Sequence, residues 1–486
     1  MTTRPATPAA NFIGGEWVRS ESSESLPVVD PATGEELGRV PLSSAAEVDA
    51  AVGAAREAFP EWRETPAVER VRVLFRLKAL LDEHRDELAR DLTREHGKNV
   101  EETSGEIQRG IENVEHACGI PALMMGETLE DVARGIDCET VRQPLGVFAG
   151  ITPYNFPVMI PLWFWPYAVA TGNTFVLKPS ERDPLTHQKI VDLAVEAGLP
   201  PGVLNVVHGD RGAAEALVEH PDVKGVSFVG SSRVARTVYG RAAASGKRVQ
   251  ALGGAKNHAV VLPDADLEQA TDAVISSVYG SAGQRCLANS VVVGVGEVYG
   301  ELRERVLERA SSLRVGSGLD EDTFMGPVIS ASHRDRVLGL IDRGEEEGAE
   351  VVLDGRGYTV EGYPHGHWVG PTVLEGVAPA MEVGREEIFG PVAGLTRAAS
   401  VQDAVDLMHR VEYGNACSIF TTGGRAAREF RYRAGISMIG VNIGVAAPMA
   451  FFPFGGSRGS FYGDLKAQGS DAIRFFTDAR VVISRW

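Results

Sequence analysis

The chain has 486 residues, more than one hydrophobic core normally supports, and 44% are hydrophobic against 23% charged, so two or three packed domains are expected and a disordered chain is excluded. Acidic side chains outnumber basic ones 66 to 48, a formal charge of −18, which argues against nucleic acid or an anionic membrane as partner. Cys118, Cys138, Cys286 and Cys417 are scattered without C-x-x-C spacing, so neither a disulfide framework nor a zinc knuckle is expected, and a reducing cytoplasm fits.

In chain order, Met1 to Ala10 has no apolar centre and does not read as a signal peptide. Phe12 to Trp17, around Gly14-Gly15, reads as a hairpin, and Ala45 to Phe59 and Val68 to Thr93 carry apolar residues at helical spacing. From about Gly146 the pattern becomes short apolar runs alternating with amphipathic stretches: Val147-Ile151, Thr174-Leu177, Val203-Val207 and Val226-Phe228. The apolar stretch Val158 to Val169 is broken by Pro161 and Pro166 and is too short to span a bilayer. A second alternation runs through Ala259-Leu262, Val291-Val295, Val392-Leu395 and Ser437-Val441, with helices at Leu267-Ser281 and Tyr299-Leu313. Two doubly wound α/β domains are the expected architecture. Thr128 to Pro144 and Ile473 to Trp486 are strand-like and fit neither domain; the closing Val481-Val482-Ile483 is expected to pair with another sheet, of this chain or another subunit.

The richest chemistry lies at Gly283-Gln284-Arg285-Cys286. A cysteine after a Gly-Gln turn and beside a cation suits an exposed thiolate nucleophile, although a free cysteine also serves as a small buried hydrophobe. No G-x-G-x-x-G fingerprint appears. Instead Ser231 follows Phe228-Val229-Gly230 at a strand-to-helix junction, either to meet a pyrophosphate or simply to cap the helix. Lys178 and Glu181 close a parallel strand where open α/β sheets bind ligands, and Glu181 would repel a 2′-phosphate, favouring NAD over NADP. Asn155, within Pro153-Tyr154-Asn155-Phe156-Pro157, offers an amide to an oxyanion. Glu387 and Phe389 flank another rigid turn, and His365-Gly366-His367 has no third ligand for a metal.

These motifs, with Leu252-Gly253-Gly254 and Pro453-Phe454-Gly455-Gly456, resemble in identity and order those of the aldehyde dehydrogenase superfamily. The resemblance implies an NAD-binding domain (1–126 and 147–254), a catalytic domain (255–466) and a small β oligomerisation flap (127–146 and 467–486) that would build a homodimer or homotetramer. It also implies Cys286 as nucleophile, Asn155 and the Cys286 N–H as oxyanion donors, and Lys178 and Glu181 as adenosine-ribose contacts. Ser231 would meet the pyrophosphate, and Glu387 with Phe389 the nicotinamide ribose. Thr152, Tyr154, Phe156 and Arg182, inside the same motifs, fall on the cofactor side.

One departure bears on the outcome of the reaction. Hydrolytic members carry a water-activating glutamate before Leu-Gly-Gly; aligning on that box puts Ala251 there, and aligning on Asp264-Ala265-Asp266 puts Leu252 there. Neither is a base, and general-base help is worth about a hundredfold or more. Ala255-Lys256-Asn257-His258 and Gly-Gln-Arg-Cys resemble the CoA-acylating methylmalonate-semialdehyde dehydrogenases. Coenzyme A would then take the acyl group, giving propionyl-CoA or acetyl-CoA with loss of carbon dioxide. A hydrolytic enzyme using another base, such as His258, is the alternative. Semialdehydes of this class carry a carboxylate, for which Arg109 and Arg285 are the candidate anchors. Arg109 is equally suited to pairing with Glu106 or Glu112 on its own helix.

Overall fold

The computed structural model describes residues 7–486, so Met1 to Ala6 of the stretch read above for a leader lie outside the described residues. The fully buried runs Val147–Ile151 and Thr174–Lys178 sit in a five-stranded parallel core with Leu204–Val206, Val223–Val229 and Arg248–Leu252. Continuous rather than alternating apolar character is what a parallel strand covered on both faces requires. Antiparallel edges complete eight strands: Phe461–Gly463 beside Arg248–Leu252, and the expected hairpin, Asn11–Ile13 with Glu16–Val18, beside Leu204–Val206. From Val147–Ile151 the chain winds one way to Thr174–Lys178 and later returns on the other side to Val223–Val229. The switch point therefore opens beyond Ile151 and Val229, where such sheets bind ligands.

The second sheet has six parallel strands in the spatial order Thr372–Glu375, Val392–Ala398, Asn289–Val295, Asn257–Val261, Ala416–Phe420 and Met438–Val441, with Glu350–Leu353 antiparallel at one edge. Residues 253–256 lead directly from the carboxyl end of Arg248–Leu252 to the amino end of Asn257–Val261. Loops at the carboxyl edge of the first sheet are thereby brought against loops at the amino edge of the second.

Three elements differ from the sequence expectation. The helical pattern Val68 to Thr93 is two helices, Ala67–Glu83 and Arg85–His96, because His84 leaves helical geometry at φ −93°, ψ 6° and turns the chain while the apolar spacing continues on both sides. The closing segment is not all strand. Gly469–Phe476 is a helix whose Phe475 and Phe476 pack on Phe148, with ring centroids at 5.6 and 4.9 Å, so residues placed with the flap belong to the main core. Only Thr477–Arg485 is strand; it pairs antiparallel with Ile136–Pro144 of the same chain, which in turn pairs with Thr128–Ala133. Phe461–Gly463, within 255–466, joins the first sheet rather than the second. Among the described residues no helix is long and apolar enough to cross a membrane.

Candidate active site

Helix Leu267–Tyr279 stops at Gly280, and the chain then passes through three successive left-handed residues: Ser281 (φ 53°), Ala282 (φ 51°) and Gly283 (φ 72°). Two non-glycine residues in that region are costly and need surroundings that hold them. Glu102, from helix Val100–Ala117, supplies the hold: one carboxylate oxygen accepts the Ser281 N–H and the Arg285 guanidinium, each at 2.7 Å. At Gly283 an added Cβ would stand 2.1 Å from the Gly390 carbonyl oxygen, so no larger residue fits. This turn presents a half-buried Cys286 at the wall of a cleft of about 530 Å³.

Burial pushes the Cys286 thiol up to about 12, and the Glu387 charge adds to the rise; the N–H groups of Cys286 and Leu287 and the Arg285 charge oppose it. The resting group is therefore a neutral thiol at pH 7. The Cys286 carbonyl accepts two side-chain amides, Asn257 Nδ2 at 2.9 Å and Asn415 Nδ2 at 2.8 Å.

Asn155, 3% exposed, lies in the turn after strand Val147–Ile151, and its Nδ2 donates to the Gln284 carbonyl at 3.1 Å, two residues before Cys286. The first sheet thus delivers an amide donor to the cysteine loop of the second. The turn is fixed from beneath by groups the sequence reading did not single out. Lys98 Nζ is ion-paired to Glu106, donates to the Asn155 carbonyl at 2.9 Å and lies 4.6 Å from the centre of the Phe156 ring. Glu106 Oε1 accepts the N–H groups of Val158 at 2.9 Å and Met159 at 3.1 Å. A glutamate four residues after Glu102 on an amphipathic helix carries no mark of burial, and neither does a lysine just past a helix end.

Arg109 and Arg285 both line the cleft with Cys286, Phe156, Met159 and Trp163. They are not equally available. Arg285 is already bound to Glu102, whereas Arg109 is 38% exposed, 3.5 Å from Glu112 and 3.2 Å from Met449 Sδ. His258 does not line this cleft: its Nδ1 faces the Lys256 carbonyl at 3.0 Å inside the second sheet, and burial pushes it down to about 4. Ala251 and Leu252 are buried in a strand paired on both sides, with Phe228 and Val229 on one side and Tyr462 and Phe461 on the other, so neither alignment places a carboxylate there.

The remaining candidates gather at the carboxyl edge of the first sheet. Lys178, 4% exposed, donates to the Pro179 carbonyl at 2.9 Å and to Glu181 at 3.3 Å. Glu181 and Arg182 border a second groove of about 310 Å³. Ser231 precedes helix Ser232–Ala244 with its hydroxyl uncommitted to the cap, whereas Ser232 is spent on Gly254 N–H and Gly459 O. Thr152 Oγ1, at the switch point, is buried and has no hydrogen-bond partner among the described residues. Glu387 accepts the Ala255 N–H at 3.0 Å, and burial raises it to about 7. Phe389 holds φ 59° with its ring edge-on to Tyr154 at 5.9 Å. An unpartnered hydroxyl at the switch point, an uncapped helix N-terminus and a lysine-carboxylate pair at a strand end are a donor set that suits a dinucleotide.

The family model described as "Aldehyde dehydrogenase family" matches residues 17–482. Malonate-semialdehyde dehydrogenase 3 of Geobacillus kaustophilus (strain HTA426) is 52% identical over 476 residues, covering 98% of each chain. Among solved structures, the methylmalonate-semialdehyde dehydrogenase of Oceanimonas doudoroffii superposes with a TM-score of 0.97 at 48% identity over 99% of this chain and 98% of that one. A Sinorhizobium meliloti 1021 protein named for the same activity and crystallised with NAD gives 0.98 at 46% identity, covering 100% and 99%. The chain therefore belongs to the aldehyde dehydrogenase family.

Proposed function

We propose that the protein oxidises malonate semialdehyde and methylmalonate semialdehyde with NAD and passes the acyl group to coenzyme A. The observation that carries this reading is the juxtaposition in one cleft of Cys286, the Asn155 turn and two guanidinium groups, with no carboxylate at Ala251 or Leu252. It agrees with the activities for which the relatives are named.

Cys286 Sγ, once deprotonated, forms a bond to the aldehyde carbon, and the carbonyl electron pair moves to oxygen. Asn155 Nδ2 and the Cys286 N–H receive that oxyanion; electrostatic stabilisation of this kind is worth about 3–4 kcal/mol per donor. NAD, when bound, accepts the hydride that leaves the thiohemiacetal carbon. Thr152, Lys178, Glu181 and Ser231 would hold it along the sheet edge, with Tyr154, Phe156, Arg182, Glu387 and Phe389 bordering it. The product is an acyl thioester on Cys286 bearing a β-carboxylate; its C–C bond breaks to release carbon dioxide, the electron pair is delocalised onto the thioester oxygen, and the α-carbon takes a proton from water; exchange with the CoA thiol then releases acetyl-CoA or propionyl-CoA and returns the cysteine.

Arg109 is the carboxylate anchor of this reading, since Arg285 is shared with Glu102. Arg109→Met is expected to raise KM for malonate semialdehyde about tenfold or more while leaving KM for propanal unchanged, the size of a lost charged hydrogen bond. An equal rise for both aldehydes would remove Arg109 from the role. A Glu181 carboxylate near the adenosine ribose would repel a 2′-phosphate, so Glu181→Gln is expected to narrow the preference for NAD over NADP by about tenfold, read from the ratio of kcat/KM values.

The reading extends to assembly. Thr477–Arg485 leaves Val481, Ile483 and Trp486 62%, 70% and 88% exposed beside Leu129 at 64%. We take this three-stranded sheet as the surface on which a homodimer or homotetramer is built, because an apolar sheet of this kind needs cover.

A further inference from the structure

Cys286 precedes strand Asn289–Val295, whose neighbour in the sheet is Asn257–Val261 and whose next neighbour is Ala416–Phe420. In the register Asn257↔Asn289 and His258↔Cys417, the amino ends of these three strands lie side by side. Each partner strand sends one carboxamide to the same atom. Asn257 Nδ2 and Asn415 Nδ2 donate to the Cys286 carbonyl at 2.9 and 2.8 Å, occupying both its lone pairs. Asn257 has other duties, to the Ala288 carbonyl at 3.0 Å and from the Ala416 N–H at 3.0 Å. The Asn415 side chain, in contrast, makes its one hydrogen bond among the described residues to the Cys286 carbonyl, and the residue is 4% exposed.

We propose that Asn415, with Asn257, is a positioning residue for the nucleophile: the pair holds and polarises the Cys286 carbonyl so that the following peptide N–H, that of Leu287, supports the thiolate. The carbonyl and the Leu287 N–H belong to one planar amide. Drawing electron density onto its oxygen increases the double-bond character of the C–N bond and makes the N–H a stronger donor, as in any chain of hydrogen bonds. That N–H is one of the backbone groups favouring the charged sulfur. Neither Asn257 nor Asn415 lines the Cys286 cleft, so the clamp acts through the peptide and is distinct from the oxyanion donors.

This inference rests on Cys286 being the reactive thiol, and its test reads that thiol rather than turnover. Cys286 in the cofactor-free full-length protein is alkylated at pH 8 with iodoacetamide and, separately, with the bulkier N-ethylmaleimide, and the labelled peptide is followed by mass spectrometry with Cys138 as internal reference. Asn415→Leu, or Asn415→Ala should the leucine variant fold poorly, is expected to slow both reagents by the same factor, about three- to tenfold, because the thiolate population has fallen. Cys138 labelling stays unchanged. An unchanged Cys286 rate, or slowing of the maleimide alone, would overturn the proposal, the second outcome showing altered access instead. Failure of Cys286 as nucleophile is detected separately by the turnover of Cys286→Ala.

Discussion

Cys286→Ala is expected to lose NAD reduction by on the order of a thousandfold or more while binding NAD with unchanged affinity. The sulfur is the single atom on which both the hydride-donating adduct and the thioester are built. Nothing else in the cleft replaces it: Glu102 is committed to Ser281 and Arg285, and Glu106 to Lys98 and two backbone amides. The substitution itself removes a half-buried sulfur and leaves the surrounding hydrogen bonds intact, so the unfolding transition should move little. The same site predicts a pH dependence. Because burial raises the resting thiol to about 12, the charged fraction at neutral pH is small and grows tenfold per unit. Iodoacetamide labelling of Cys286 in the cofactor-free protein should therefore climb about tenfold per pH unit between pH 7 and 9; a plateau across this range would mean that the thiol is already ionised.

Lys98→Met is expected to be the most damaging substitution for stability, by about 3–5 kcal/mol in urea unfolding. Lys98 and Glu106 side chains are 1% and 0% exposed, so removal of the lysine leaves a carboxylate buried without its counter-charge. The damage should also reach chemistry. Without Lys98 the Asn155 carbonyl loses its donor and the Tyr154–Pro157 turn loses its floor, so kcat is expected to fall more than affinity for NAD. The double variant Lys98→Met, Glu106→Met removes both charges, and its destabilisation should be clearly smaller than the sum of the two single losses. Additive losses would show that the two side chains do not act as a pair.

The parallel strands were legible because buried strands need uninterrupted apolar runs: the run from Val147 to Ile151 is a strand of the same limits, and Val392-Leu395 begins one that continues to Ala398. The residues around the nucleophile were legible as motifs, since a left-handed Gly283 and an amide in a proline-flanked turn are requirements of local geometry. What escaped was set by register and burial. Asn415 is 129 residues from Cys286, and only the lateral order of three strands brings them together. Lys98 and Glu106 escaped for another reason: a lysine in a loop between helices and a glutamate on an amphipathic helix are mostly solvated, and nothing local distinguishes a buried pair. Arg285 looked like a free anchor because its neighbour in sequence is Cys286, whereas its partner Glu102 lies 183 residues away. The helix Gly469–Phe476 was hidden because its 8 residues carry the apolar spacing through only about two turns, too few to separate a helix from a short apolar strand.

That an acyl group on Cys286 would have no efficient route to water follows from Ala251 and Leu252 standing where a base would be required. It is tested most directly by mixing enzyme, NAD and malonate semialdehyde with and without coenzyme A, and following both NADH and the acyl product. With CoA, steady turnover and stoichiometric acetyl-CoA are expected. Without it, a burst of about one NADH per active site followed by a rate at least about a hundredfold lower is expected. Steady turnover to free acetate at the same rate without CoA would contradict it.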